Sequence, residues 1–272
     1  IFDPTTNIIQ AGPPMAAPRA EFTATPISNQ PDSFLLVGGR GQASASWEVW
    51  TPNGVVRADT LSQARRHHTA SSVPHLGKIF VMGGENDTSV LNNFEVFNGL
   101  TLSFDLTPYA IPATSSRTMH SAAYIPNRRF IYLIGGFSDK ERTTLVPQID
   151  VVSVDACNPT SCNAFIGPNS FRLATPRVGH ATIPLDDNRV LISGGVTVNG
   201  ATSTALNTNE IIYETLVNGA VTVEVGIAGS MPESRFFHGG AHLETGYGLL
   251  VGGVSSSGGT FNGILPGLLY NP

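Results

Sequence analysis

The stretch Arg117-Thr-Met-His120-Ser-Ala-Ala-Tyr-Ile-Pro-Asn-Arg-Arg-Phe-Ile-Tyr-Leu-Ile-Gly135-Gly136 decides the fold. It opens on Arg-x-x-His, passes through small residues and a short polar turn, and closes on an apolar run that stops at paired glycines. Two short β segments joined by a tight polar turn read as a hairpin. The unit occurs five times. Apolar runs end on Gly38-Gly39, Gly83-Gly84, Gly135-Gly136, Gly194-Gly195 and Gly252-Gly253, and each follows an arginine, at Arg19, Arg65, Arg117, Arg177 and Arg235. The separation from arginine to first glycine is 19, 18, 18, 17 and 17 residues, whereas the period between glycine pairs ranges from 45 to 59. A fixed core unit is therefore followed by connections of variable length.

Four copies carry the histidine, at His68, His120, His180 and His238, and the first has Phe22 instead. After each glycine pair a polar connection leads to a third β segment: Trp47-Glu-Val-Trp50, Asn93-Phe-Glu-Val-Phe97, Ile149-Asp-Val-Val152, Asn209-Glu-Ile-Ile-Tyr213 and Leu268-Leu-Tyr270. Turn residues then precede a fourth segment, such as 100–106 or 221–225. Four antiparallel strands, a to d, per period of roughly 50 residues make a propeller blade.

The Arg-x-x-His opening, the Gly-Gly after strand b and the acidic, aromatic strand c resemble the kelch family over nearly the whole chain. The resemblance implies an all-β, kelch-type β-propeller of four-stranded antiparallel blades, forming a single domain over 1–272 with repeat cores near 19–53, 65–98, 117–156, 177–215 and 235–272. It is specific for fold and unspecific for activity. The Trp usual in strand d of kelch repeats is missing, so the outer strand must pack by other means. Residues 1–12 read as strands c and d of a partial blade, and the chain also ends on a strand c. Two copies of strand c would compete for one closing blade. The expectation is therefore a segment of a longer chain with six or seven blades; the alternative is a five- or six-bladed ring with one irregular closing blade.

Composition agrees with this class: 272 residues, 41% hydrophobic and 13% charged, with 29 Gly and 19 Pro, belong to a chain rich in turns. Fifteen basic against 20 acidic residues give a net charge of −5, which supplies no field for a phosphate backbone, so nucleic acid is not an expected partner. Apolar runs span a few residues, far short of the roughly 20 that cross a bilayer as a helix. The only cysteines, Cys157 and Cys162, share a short loop with a proline, where a small disulfide ring is geometrically possible and would imply an oxidising compartment. The alternative is a pair of free thiols. The start at Ile1 has neither an initiator Met nor a leader pattern, so the true beginning is expected elsewhere.

Repetition also decides how the polar residues are read. His68, His120, His180 and His238 are of metal-ligand type, but a residue repeated once per blade is read as a packing position, because ligands converging on one ion must break the repeat symmetry. Arg19, Arg65, Arg117, Arg177 and Arg235 are expected to pair with the strand-c acids Glu48, Glu95, Asp150 and Glu210, since a half-buried guanidinium needs a partner. The fifth copy has Gly267 near that place, which weakens any such network there. The rival reading is an anion held by the arginines in a central channel. No Gly-x-Ser-x-Gly, phosphate-loop or His-Glu-x-x-His motif occurs. Galactose oxidase-like copper enzymes share the resemblance, but they need a Tyr, His and thioether-linked Cys constellation that two cysteines in one loop do not supply. Neither a catalytic residue nor a cofactor is expected.

Binding is expected in the connections between strands b and c, at 40–46, 85–92, 137–148 and 196–208, because long loops on a rigid scaffold are where recognition is usually placed. Glu85, Asn86, Asp87, Phe137, Asp139, Lys140, Glu141 and Arg142 are the candidate contact residues, and plain solvated loops are the alternative. Asn86-Asp-Thr88 also fits a glycosylation sequon. The functional expectation is a non-catalytic propeller, secreted, periplasmic or on the cell surface, that binds a protein or glycan. A structural subunit of a larger assembly is the alternative, and a carbohydrate-active or redox enzyme the third reading.

Overall fold

A computed structural model of the chain describes residues 1–105, 108–110, 116–158, 161–162, 171–185, 188–217, 220–257, 260–264 and 266–272, with backbone alone at 156–158, 161–162, 216–217, 220–221, 257 and 260. The fold is all-β. Its contacts gather into two compact units, Ile1–Ile111 and Pro112–Pro272, the division falling between the second and third repeats.

In the first unit, Phe2–Asp3 pairs antiparallel with Ile8–Ile9 as a two-stranded sheet. The first repeat is a four-stranded antiparallel sheet in the order a-b-c-d: Thr23–Pro26, Phe34–Val37, Ser46–Thr51 and Gly54–Thr60. The second has Thr69–Val73, Lys78–Met82 and Asn93–Asn98, with strand d in two pieces. Ser103–Phe104 pairs with one end of strand c and Tyr109–Ala110 with the other.

In the second unit, the fourth repeat is again four-stranded, with Ala181–Pro184, Val190–Ser193, Thr208–Val217 and Ala220–Ser230. The third has Ser121–Ile125, Phe130–Ile134 and Ile149–Ser153, and among the described residues a bridge from Gln148 to Arg172 stands at the strand-d position. The fifth has three described strands, Gly239–His242, Gly248–Val251 and Leu268–Tyr270. Two b–c connections fold into hairpins of their own, Val196–Asn199 with Thr202–Ala205 and Val254–Ser257 with Thr260–Gly263. The first of these lies within the 196–208 connection, where β-branched residues around Gly200 favour a ribbon.

Strand b is continuously apolar because both of its faces are covered. In the fourth repeat Val190 and Ile192 pack with Ile125, Tyr132 and Ile134 of the third, while Leu191 on the opposite face packs with Leu250 of the fifth. In the first unit Leu35, Val37, Ile79 and Val81 form the corresponding layer between the first and second repeats. The missing strand-d tryptophan is compensated within that layer: Phe104 of strand d meets Trp47 and Phe97 edge-to-face at 5.5 and 5.3 Å, an outer cluster drawn from three strands of two sheets.

Candidate functional site

The arginine of every repeat turns back onto its own glycine pair. Nη1 donates to the carbonyl of the first glycine in all five: Arg19 to Gly38 at 3.1 Å, Arg65 to Gly83 at 2.9 Å, Arg117 to Gly135 at 3.2 Å, Arg177 to Gly194 at 2.9 Å and Arg235 to Gly252 at 3.1 Å. That bond is why the spacing between them hardly varies. The other guanidinium arm reaches strand c, pairing Arg65 with Glu95 at 2.7 Å, Arg177 with Glu210 at 2.5 Å, Arg117 with Asp150, and Arg19 with Glu48 at 3.7 Å. These arginine side chains are buried; burial draws Arg65, Arg117 and Arg177 below the ordinary guanidinium value, against the upward pull of their carboxylates.

The carboxylate has a second task. It accepts backbone N–H groups three residues before the arginine: Ala16 on Glu48, Ser62 on Glu95, and Ala174, with Thr175, on Glu210. The fifth repeat has Pro232 at this place, which offers no N–H, and Leu268 where the acid would stand, so donor and acceptor are lost together. Arg235 there bonds the Pro266 carbonyl at 3.0 Å and lies 3.5 Å from Glu233. The expected weakening of the fifth network is thus a substitution of partners.

The arginine's own carbonyl then closes the contact to the preceding repeat. It accepts the N–H of the second glycine there: Gly39 on Arg65, Gly136 on Arg177 and Gly195 on Arg235, at 2.8, 3.1 and 2.8 Å. A β-carbon on Gly38, at φ +59, would lie 2.2 Å from the Arg65 carbonyl oxygen, so this close approach demands glycine.

Two of the repeated histidines bond side-chain hydroxyls of the preceding repeat. His68 Nε2 bonds Thr23 Oγ1 at 2.9 Å and His180 Nε2 bonds Ser121 Oγ at 2.7 Å, each reaching the first residue of strand a in the preceding repeat. His238 meets Ala181 at that position, and neither of its ring nitrogens has a partner among the described residues. Ala181→Ser is therefore expected to raise the unfolding free energy by about 0.5–1.5 kcal/mol. Urea unfolding at pH 7 checks it, and an unchanged midpoint would show that His238 has no need of the bond.

Two residues after each arginine, Glu21, His67, Met119, Gly179 and Phe237 all have φ between +52 and +64. Only the glycine signals this in the sequence, so the position escapes a reading by motif. It sets side chains of different chemistry beside the b–c connections. In the first unit Glu21 meets Arg40 at 3.1 Å and His67 at 3.2 Å, and Arg66 meets Glu85 at 3.2 Å and Asp87 at 2.8 Å.

Of the expected contact residues, Glu85 and Phe137 are buried and serve the scaffold: Glu85 pairs with Arg66, and the backbone of Phe137 pairs with Thr118 in both directions. Each follows a glycine pair directly and makes an isolated antiparallel bridge, Glu85 with Arg66 and Phe137 with Thr118. Asn86 Oδ1 accepts from Thr88 and Ser89, and the Asp139 carboxylate from Thr143 and Thr144, an arrangement that ties each loop to itself. Those bonds hold Asp139 below the usual carboxylate range, against the opposing effect of burial. Asp87 and Glu141 are exposed, Lys140 is half-exposed, and the Arg142 guanidinium lies 5.8 Å from the Phe137 ring centroid. Cys157 stands opposite Cys162 in the backbone register of a small hairpin; their side chains, and with them the disulfide expectation, lie outside the described residues.

No family model matches the chain. Acyl-CoA-binding domain-containing protein 4 of Arabidopsis thaliana is 25% identical over 214 residues, a match that covers 76% of this chain and 30% of that protein. The chain therefore spans about 30% of the length of this curated relative. Among solved structures it is similar to YjhT, with a TM-score of 0.65 and 13% identity, over 94% of this chain and 85% of that one. At that identity the likeness shows the fold alone, which is all-β and β-propeller-like.

Proposed function

We propose that the chain is a non-catalytic, kelch-type propeller, part of a ring of six or seven blades, that binds a protein or glycan through its b–c connections. The observation that carries this reading is the division of labour between positions. The repeated Arg side chains and strand-c acids, His68 and His180, and the backbone of the glycine pairs are taken up by bonds within and between repeats, which argues against an anion held by the arginines. The b–c connections are pre-ordered, by the Asn86 and Asp139 bonds and by two hairpins, yet differ from repeat to repeat. Pre-ordered loops bind without a large ordering cost.

An extracytoplasmic setting is part of the proposal, supported by the opposed Cys157 and Cys162. Acyl-CoA binding is not extended to this chain, whose fourth and fifth b–c hairpins contain no cationic residue to meet phosphates. The test is capture from extracellular and cell-surface fractions by the wild type and by a variant carrying Asp87→Ala, Lys140→Ala, Glu141→Ala and Phe261→Ala. Loss of the captured partner with an unchanged unfolding midpoint is the expected result, and undiminished capture refutes the reading. Elution of the wild type as a stable oligomer that captures nothing would favour the structural subunit instead.

A further inference from the structure

We infer that the fourth and fifth repeats carry a site for an uncharged oligosaccharide, built on Phe237 and Phe261; this rests on the reading that the b–c connections bind. Phe237 is 61% exposed and Phe261 71%, an unusual investment of large apolar surface for side chains close to one another. Between them lies the buried Phe236, whose ring meets Phe237 at 5.3 Å and Phe261 at 6.1 Å, both edge-to-face. The platform is fixed from below. The Phe237 N–H donates to the Gly179 carbonyl at 2.7 Å, and a β-carbon on Gly179 would lie 2.8 Å from the Phe237 ring. The positive φ of Phe237 is common to all repeats, but only here does it present an apolar phenyl ring.

The surroundings select the ligand. Residues 190–209 and 245–272 contain no Asp, Glu, Lys or Arg, in a chain whose first two repeats gather Glu21, Arg40, Arg66 and Asp87 at the corresponding place. The hairpin strands Thr202–Ala205 and Val254–Ser257 lie side by side and offer hydroxyls, and Asn262 adds an amide. A carboxylate or phosphate brought here would lose water without gaining a counter-charge. A protein partner would be expected to find Trp, Tyr or Arg anchors, which dominate protein hot spots. A neutral sugar fits both halves of the patch: its weakly positive C–H face lies on the negative face of an aromatic ring, and its hydroxyls exchange hydrogen bonds with Ser, Thr and Asn.

The full chain, with Phe237→Ala, Phe261→Ala and Phe261→Tyr variants, is applied to an array of neutral hexose, pentose and N-acetylhexosamine oligosaccharides, with uronic acid-containing ones as the charged arm. Expected are retention on a neutral subset, a loss of about three- to tenfold in affinity for each alanine variant at unchanged melting temperature, and retention by the tyrosine variant. Absence of neutral-glycan binding, equal binding by the alanine variants, or preference for the charged arm overturns the assignment. If no glycan binds but a captured surface protein is lost with Phe237→Ala and Phe261→Ala, the sugar is wrong and the binding reading stands.

Discussion

Replacing Arg177 by methionine lowers the unfolding free energy of the unit that carries it by about 3–5 kcal/mol, the range for stranding one member of a buried ion pair. Arg177 Nη1 bonds the Gly194 carbonyl at 2.9 Å and the Thr208 carbonyl at 2.8 Å, and Nη2 bonds Glu210 at 2.5 Å. Without the guanidinium the carbonyls of Gly194, Thr208 and Thr175 each lose a donor, Thr208 keeping the Gly194 N–H, and Glu210 is left buried with only the Ala174 and Thr175 N–H groups. Truncating the acid alone, by Glu210→Leu, leaves the charge on Arg177 and orphans those two N–H groups, so it is expected to destabilise as well. The fifth repeat tolerates Leu268 at the acid's place because Pro232 has no N–H to satisfy and Glu233 stands near Arg235. Urea unfolding followed by tryptophan-independent circular dichroism checks the series. A loss under about 1 kcal/mol for Arg177→Met would mean that water or a neighbouring cation replaces the arginine and that the lattice is not what holds the repeats together.

Much of this lattice was legible because it leaves a numerical trace. An arginine that must reach one particular carbonyl across a hairpin fixes the hairpin's length, so the Arg-to-Gly interval stays constant while everything after Gly84 or Gly195 drifts. The histidines were legible through their recurrence at a fixed distance from the arginine, whereas their partners, the Thr23 and Ser121 hydroxyls, come from the preceding repeat and leave no local signal. Other features leave no such trace. The left-handed residue after each arginine tolerates Glu21, His67, Met119 and Phe237 because its conformation is imposed by the bonds on either side, so local propensity says nothing. The apolar residue four before the arginine, Leu61, Leu173 or Met231, is buried, but it sits in a linker with no period to reveal it. Glu85 and Phe137 looked like loop residues because they follow glycine pairs, yet each is held by an isolated bridge to the residue after the repeat's arginine.

Stability is expected to fall as the pH drops from 6.5 towards 5, above the range in which ordinary carboxylates titrate. The cause lies in the strand-a histidines. Burial, then Arg177 and His238, pushes His180 down to about 3; burial, then Arg235, pushes His238 down to about 4; and burial, then Arg65 and His67, holds His68 well below 6.5. In the unfolded chain each titrates near its ordinary value. Between that value and the lowered one the unfolded state binds more protons than the folded state, so stability increases with pH. The neutral histidine's contribution is therefore complete above about pH 6.5 and is lost on acidification, at about 1.4 kcal/mol per pH unit for the fully enclosed His180, or about 2 kcal/mol by pH 5. Urea midpoints at pH 7 and pH 5 should separate accordingly. His180→Gln, which keeps a polar group beside Ser121 but cannot take the proton, should be less stable than the wild type at pH 7 and should lose less between the two pH values. Equal slopes for the variant and the wild type would place the acid sensitivity outside the repeat interfaces and remove the histidines from the account.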